Sequence, residues 1–290
     1  MDSKAIYDQV NARYGSAARS RTGQYENKAA MAFGYTEEEL AAIPDGSNLG
    51  LSCGNPFPLA KLKEGECVID LGSGAGFDVF TAARRVGLTG KAIGVDMNEN
   101  MIAKAKANAR KAETTNTHFV EAVITAVPLP DETADCIISN CVINLVPASE
   151  KQMAFNEMFR LLKPGGRLAI SDILAKQEFT QEIRDNIALY VGCIAGAGLV
   201  SDYESFLATA GFHDVTMIER KVDLNVYLSS GDNPNGCCEG ADADADIDTL
   251  PACGGESATA SGTSASRPDI IDLNDWAGSF QIYAIKPLFH

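Results

Sequence analysis

The sequence has little positive charge and no long apolar run. It contains 24 lysines and arginines and 39 aspartates and glutamates, which gives a formal net charge of -15 over 290 residues. An acidic surface repels phosphate backbones and anionic lipid headgroups, so nucleic acid and membrane surfaces are poor candidate partners. No apolar run approaches the roughly 20 residues that span a bilayer, and the first residues lack the apolar core of a signal peptide. We therefore expect a cytoplasmic protein.

Several common metal and nucleophile patterns are also missing. The eight cysteines include no C-x-x-C pair, which argues against structural zinc. The acidic run 239–248 lacks the spacing of an EF-hand loop, and the sequence around His118 and His213 does not indicate a nucleophile–base pair. In a reducing compartment the cysteines are expected to be thiols and not structural disulfides. Some of these thiols are therefore candidates for chemistry.

Short apolar runs alternate with amphipathic segments from Glu66 onward. Strands are predicted at CVIDLG, KAIGVDM, THFVEAV, ADCIISNCVINLV and RLAISDIL, with helices between them. This alternation is typical of a parallel sheet covered by helices on both faces, so it predicts a doubly wound α/β fold with a mostly parallel sheet. Before the first strand, Thr36 and Glu39 have the spacing of a helix capping box.

The chain is predicted to have three parts. Residues 1–50 form a polar helical segment, 51–175 a cofactor-binding domain, and 176–290 a C-terminal substrate region of helices and strands. Within the last part, 229–268 is dominated by Gly, Ala, Ser, Thr and Asp. It holds too few large apolar groups to offset the entropy of ordering. We predict a flexible surface insertion there, followed by a final strand in DWAGSFQIYAIKP.

A glycine-rich loop follows the first predicted strand. It runs from Asp70 through Gly72 and Gly74 to Gly76, and glycines permit positive φ angles and a close approach of the main chain to a ligand. Asp96, at the end of the second strand, is placed to accept hydrogen bonds from ribose hydroxyls. Together they predict a nucleotide-type cofactor at the carboxyl edge of the sheet.

The loop spacing distinguishes between cofactors. The dinucleotide fingerprint is G-x-G-x-x-G, whereas this loop is D-x-G-x-G-x-G. That form resembles the first motif of class I methyltransferases, which implies S-adenosylmethionine, with NAD as the alternative. Methyltransferases that flip a base out of DNA or RNA carry an N-P-P-aromatic motif after the fourth strand. Here that position reads SNCVINL, so we expect a small-molecule substrate.

Three cysteines are predicted to lie near the cofactor. Cys53 is in a turn-rich segment before the first strand, Cys141 is at the carboxyl end of the fourth strand, and Cys193 is in the helical region after the fifth. Cys67 and Cys136 lie inside strands, where a cysteine behaves as a small core hydrophobe.

The segments around these three cysteines resemble the arsenite methyltransferases. SNCVINLVP at 139–147, SCGNP at 52–56, and a cysteine followed by small residues and glycine at 193–198 carry the resemblance, which covers roughly 45–220. It implies that Cys53, Cys141 and Cys193 bind As(III). It also implies cofactor contacts from the loop residues Asp70, Gly72, Gly74 and Gly76 and from Asp96, Met97, Met101, Ile124 and Asn140. The chain departs from the family in having no cysteine before Cys53.

The implied chemistry is consistent with the properties of sulfur and arsenic. Thiolates are soft ligands, and As(III) bound by them keeps a lone pair that can attack a sulfonium methyl group. Reducing thiols, either glutathione or a thioredoxin-type partner, are expected co-reactants. Cys237 and Cys238 are adjacent in the predicted insertion. Either they capture arsenite, or they are solvent-exposed residues that are adjacent by chance. The alternatives are a carbon or oxygen methyltransferase of the same fold and a non-catalytic protein that sequesters arsenic.

Overall fold

A computed structural model describes residues 2–19, 24–180, 196–225 and 272–288. The predicted insertion 229–268 and the predicted helix around Cys193 lie outside the described residues. Two helices, α1 (Ser3–Arg19) and α2 (Gln24–Ala32), precede the short helices α3 (Glu37–Ala41) and α4 (Phe57–Ala60). The predicted capping box is confirmed, because the Thr36 side chain accepts from the Glu39 N–H while the Glu39 side chain accepts from the Thr36 N–H.

The described strands form one seven-stranded sheet. They are β1 (Cys67–Leu71), β2 (Lys91–Asp96), β3 (Thr117–Glu121), β4 (Ala134–Asn140), β5 (Leu162–Ala175), β6 (His213–Arg220) and β7 (Ala277–Ile285). Their order is β3-β2-β1-β4-β5-β7-β6. The first five strands pair in parallel, and β7 lies antiparallel between β5 and β6. The predicted mostly parallel α/β sheet is confirmed, as is the final strand.

Four longer helices connect or cover the strands: α5 (Phe77–Val86), α6 (Glu99–Lys111), α7 (Lys151–Leu161) and α8 (Val200–Ala210). A last short helix, α9 (Leu273–Trp276), leads into β7. Alternate residues of β1 reach opposite faces of the sheet, as the pleat of a strand requires. Ile69 and Leu71 belong to a core with Phe155 of α7, whereas Val68 belongs to a second core with Phe80 of α5. The sheet is therefore buried on both faces.

Two strand boundaries differ from the sequence pattern. The fifth strand was expected to begin at Arg167, but β5 extends back to Leu162 through Lys-Pro-Gly-Gly. The segment DVTMIERKVDLNVYL at 214–228 also alternates like a strand, but β6 ends at Arg220, and all of its side chains are at least partly exposed, as suits the edge strand of a sheet. Within the described ranges, none of the helices is both long and apolar enough to cross a membrane.

Candidate active site

A cavity opens at the carboxyl ends of β1, β2 and β4, where a doubly wound sheet binds ligands. Its wall includes Asp70, Gly72 and Gly74 from the glycine-rich loop and Tyr14 from α1. Helix α1 is held over this edge partly by Asn98, whose side-chain amide donates to the Asn11 carbonyl at 2.9 Å. The cavity is thus bounded below by the sheet edge and on one side by the N-terminal helix.

The glycines of the loop have different structural roles. Gly72 has a φ of 80°, and a Cβ at that position would lie 2.1 Å from Cγ2 of Val142, so only glycine fits there. Gly74 also has a positive φ and lines the cavity. Gly76 does not lie on the cavity wall: a Cβ there would lie 2.7 Å from Cε2 of Phe80. Gly76 therefore permits close packing of the loop on α5, and its predicted contact with the cofactor stays a prediction.

Buried carboxyl groups surround the loop. Asp96 accepts hydrogen bonds from the Gly74 N–H and from the Asn98 N–H, both at 2.8 Å, and these fix its carboxylate beside the cavity. Burial raises the pKa of Asp96. The pKa of Asp70 is raised strongly by burial and then by the neighbouring Asp78 and Asp96 carboxylates. A cation in this cavity would therefore be stabilised by three nearby acids.

The remaining predicted cofactor residues also lie on the cavity wall, namely Met97, Met101, Ile124 and Asn140. Asn140 reaches furthest across the site. Its side-chain amide donates to the Gly54 carbonyl at 2.8 Å and to Asp78 Oδ2 at 3.2 Å, and its Oδ1 accepts from the Cys53 N–H at 3.3 Å. One side chain at the end of β4 therefore fixes the loop that carries Cys53.

Asp78 and Tyr35 form a buried pair behind Asn140. The Tyr35 hydroxyl donates to Asp78 Oδ1 at 2.7 Å, and Asn140 Nδ2 is 3.1 Å from the same hydroxyl. Burial raises the pKa of Asp78 to about 6, against the opposing effect of these hydrogen bonds. The pair orients the Asn140 amide, and through it the Cys53 loop.

The structure brings Cys53 and Cys141 together. They are separated by 88 positions in sequence, yet their Cα atoms are 5.8 Å apart and their sulfur atoms form a disulfide. The pair is oxidised in the state described, where thiols were expected; the fold brings the two sulfurs within bonding reach, and the redox conditions decide whether the bond persists. Both residues are buried.

Local backbone geometry accounts for the meeting of the two cysteines. Cys141 has a φ of 61°, in the left-handed region that a non-glycine residue seldom occupies, and its N–H donates to the Ser171 carbonyl at 2.9 Å. On the other side, Gly54 packs so closely on β5 that a Cβ would lie 2.6 Å from the Ser171 Cβ. Both cysteine-bearing segments are thus pinned against the same residue of β5.

Asp172 is a residue of this site that the sequence pattern missed. It is fully buried at the carboxyl end of β5, and one of its carboxylate oxygens lies within 4.8 Å of the sulfurs of both Cys53 and Cys141. It accepts from Asn144 Nδ2 at 2.8 Å and from the Tyr203 hydroxyl at 3.0 Å. The available signal was an acid within the otherwise apolar run AISDIL.

A buried lysine partly balances the charge of Asp172. Burial raises the pKa of Asp172 to about 6, while the nearby Lys151 ammonium acts in the opposite direction. Lys151 Nζ itself donates to the Ile143 carbonyl at 2.7 Å. The carboxyl group is consequently held in one position by several partners before any ligand arrives.

The other cysteines lie elsewhere or outside the described residues. Cys136 is fully buried in the sheet and burial raises the pKa of its thiol to about 12, as expected for a core residue. Cys67 is half-buried at the start of β1, and burial raises its pKa as well. The predicted third arsenic ligand, Cys193, and the predicted capture pair, Cys237 and Cys238, fall outside the described part of the chain.

Comparison with known proteins gives the same fold. An arsenic(III) S-adenosylmethionine methyltransferase from Chlamydomonas reinhardtii superposes with a TM-score of 0.56 at 24% identity, covering 92% of this chain and 74% of that one. The predicted class I methyltransferase fold is confirmed by this likeness.

Sequence comparison identifies the family. A methyltransferase domain family matches residues 62–211, which is more than half of the chain. The arsenite methyltransferase of Halobacterium salinarum is 44% identical over 199 residues, and that of Aquipseudomonas alcaligenes is 37% identical over 183. These matches cover 69% and 61% of this chain but only 50% and 52% of those relatives, so the matched region spans about half of their length. The chain therefore belongs to the methyltransferase domain family, and its resemblance to the arsenite methyltransferases is confirmed.

Proposed function

We propose that this chain binds S-adenosylmethionine at the glycine-rich loop and transfers its methyl group to As(III) held by cysteine thiolates. The observation that carries the proposal is the meeting of Cys53 and Cys141 at one edge of the cofactor cavity, of which Cys141 forms part of the wall. Relatives named arsenite methyltransferases support the substrate.

The cavity fits a cofactor that is both cationic and rich in hydroxyl groups. Asp70, Asp78 and Asp96 supply negative charge around it, and the pKa of Asp70 is raised first by burial and then by repulsion from the Asp78 and Asp96 carboxylates. The Ser73 hydroxyl is buried on the cavity wall and has no hydrogen-bond partner among the described residues. A positively charged ligand in the cavity would reduce the repulsion among the three carboxylates.

Each group on the wall then has a task in cofactor binding. Gly72 and Gly74 let the main chain approach the cofactor closely, and Asp96 accepts hydrogen bonds from ribose hydroxyls. Met97 and Met101 supply apolar surface for the base. When bound, the cofactor supplies an electrophilic methyl group on a positively charged sulfur. Residues of α1 and the sheet edge limit access of water to that methyl group.

The cysteines would hold arsenic through its exchange of hydroxide for thiolate. Each thiol that replaces a hydroxyl of arsenous acid releases one water, and Cys193 is the predicted third ligand. The arsenic lone pair would then form an As–C bond as the S–C bond of the sulfonium breaks and S-adenosylhomocysteine leaves, so no general base would be needed. The enzyme contributes proximity and orientation, which can lower a barrier by ~7–11 kcal/mol.

The disulfide gives the reducing thiols a defined task. Two thiol molecules would reduce Cys53–Cys141 to a dithiol and leave as their own disulfide, which balances two electrons and two protons. A reducing compartment such as the cytoplasm, with glutathione or a thioredoxin-type protein, would keep the pair ready for arsenite. Cys237 and Cys238 stay a predicted capture site that would deliver arsenite to this pair.

Product analysis tests the proposal. Reduced protein is incubated with arsenite, glutathione and methyl-labelled cofactor, and the arsenic species are separated and counted. We expect labelled methylarsenicals from the wild-type protein and a loss of at least a hundredfold for Cys53→Ser and Cys141→Ser, each with cofactor binding retained. Cys67→Ser, which removes a thiol at the opposite end of the sheet, is the matched control and should keep its turnover. Unchanged turnover in Cys141→Ser would contradict the proposal.

A further inference from the structure

The position of Asp172 suggests a role in recognising arsenite that the sulfurs alone do not provide. A carboxylate oxygen of this residue lies within 4.8 Å of both cysteine sulfurs, which lie within the same distance of each other. An atom bonded to both sulfurs would therefore have this carboxylate beside it. Asp172 is fully buried, so water does not compete freely for its oxygens.

The carboxylate is held rigidly in that place. The Ile173 N–H and Asn144 Nδ2 donate to Oδ1 at 3.0 and 2.8 Å, and the Tyr203 hydroxyl shares its one proton between Oδ2 at 3.0 Å and Asn144 Oδ1 at 2.9 Å. Tyr203 is fully buried and packs edge-on against Phe155, with ring centroids 5.4 Å apart. A carboxylate fixed in this way presents an acceptor without an ordering cost on binding.

The chemistry of arsenite supplies a donor for this acceptor. Arsenous acid has three hydroxyl groups, and two thiols replace two of them with release of two waters. The bound species, with two As–S bonds and one As–OH, keeps one hydrogen-bond donor. An arsenical with a carbon substituent loses both of its hydroxyls to the same two thiols and keeps none.

We propose that Asp172 accepts a hydrogen bond from the remaining As–OH of arsenite on Cys53 and Cys141, and so selects arsenite over carbon-substituted arsenicals at this pair. The proposal rests on the proposed function, because it takes the two cysteines as arsenic ligands. When a third thiol replaces the last hydroxyl, that hydroxyl leaves as water with the thiol proton. The hydrogen bond then breaks, so Asp172 positions the species that precedes the fully thiolated one.

Binding constants for two arsenicals test this selection. Arsenite and phenylarsine oxide are titrated into reduced protein in which Cys193, Cys237, Cys238 and Cys253 are all replaced by serine, so that Cys53 and Cys141 are the two thiols left to bind arsenic at the site. Asp172→Asn retains an oxygen for the Asn144 and Ile173 donors but removes the charge. Because a hydrogen bond to a charged group contributes more than a neutral one, the dissociation constant of arsenite should rise about tenfold or more. That of phenylarsine oxide should stay within about twofold.

The controls separate this proposal from the one on which it rests. Asp135→Asn removes a carboxylate from the opposite edge of the sheet, where it pairs with Lys163, and should change neither constant. Asp172→Glu displaces the carboxylate by one methylene and should repeat the selective loss of arsenite if Asp172→Asn is poorly folded. Equal losses for both arsenicals, or no loss for either, would overturn the role of Asp172. Failure of the parent protein to bind phenylarsine oxide would instead contradict the cysteine site itself.

Discussion

Replacing Gly54 with alanine tests how closely the Cys53 segment must lie against β5. The new Cβ would be 2.6 Å from the Ser171 Cβ and 2.9 Å from its Oγ. Carbon atoms in contact prefer about 3.5–4.0 Å, so the two segments must separate by roughly 1 Å. Overpacking of this kind costs about 1–3 kcal/mol of stability.

The displacement should lower kcat strongly, whereas it should lower the free energy of unfolding only modestly. Cys53 directly precedes Gly54, so its sulfur would move relative to that of Cys141. A misplacement of about 1 Å can cost roughly a hundredfold in rate. We expect the kcat for arsenite methylation by the reduced protein to fall by about that factor. Thermal unfolding, measured on the same samples, should show a folded protein with a modestly lower Tm.

A second substitution can restore the space. In Gly54→Ala/Ser171→Gly the nearest remaining atom of residue 171 is its Cα, at 3.8 Å from the new Cβ. The double variant should recover most of the lost kcat, although glycine in a strand costs roughly 0.5–1 kcal/mol. Ser171→Gly alone is the control for that cost. Wild-type turnover in Gly54→Ala, or a double variant no faster than the single one, would refute the reasoning.

Three further predictions concern the cavity and the core thiols. Gly72→Ala should weaken S-adenosylmethionine binding at least tenfold in calorimetry. Gly34→Ala is the control, because Gly34 also has a positive φ but a Cβ there would meet no atom within 4 Å, so binding should not change. Equal effects of the two substitutions would contradict the steric requirement for glycine at position 72. Because burial and neighbouring carboxylates raise the pKa of Asp70, it holds its proton to higher pH, and a cationic cofactor must displace that proton. The cofactor should therefore bind more tightly as pH rises through the elevated pKa of Asp70, and Asp70→Asn should flatten the trend; a flat wild-type profile would count against it. Cys136, with a pKa raised to about 12, should resist iodoacetamide in the native protein at neutral pH, and rapid alkylation seen by mass spectrometry would contradict its burial.

The fold could be predicted from periodicity alone, and part of the site followed from it. Buried parallel strands such as β1 and β4 are short apolar runs, and their carboxyl ends meet at one edge. Cys141 and Asp96 end up at that edge because each lies at or just after the end of such a strand. A strand pattern therefore carries information about any functional residue that terminates a strand.

Other parts of the site depend on contacts that periodicity does not encode. Cys53 lies in an irregular segment, and its N–H donates to the side-chain oxygen of Asn140, which is 87 positions away in sequence and holds that segment in place. The role of Asp172 could not be predicted from its place in a mostly apolar strand. Its hydrogen-bond partners, Asn144 and Tyr203, come from segments that only the fold brings together. A disulfide between Cys53 and Cys141 requires their segments to meet, and that meeting is set by the tertiary fold, so the pairing could not be predicted either.

X-ray absorption at the arsenic edge tests most directly whether arsenic binds to these sulfurs. Reduced protein is loaded with one equivalent of arsenite, and the sulfur and oxygen neighbours of arsenic are counted. The account predicts sulfur as the dominant neighbour in the wild-type protein, with one sulfur replaced by oxygen in Cys141→Ser and no change in Cys67→Ser. An arsenic spectrum dominated by oxygen, or one that Cys141→Ser leaves unaltered, would contradict it.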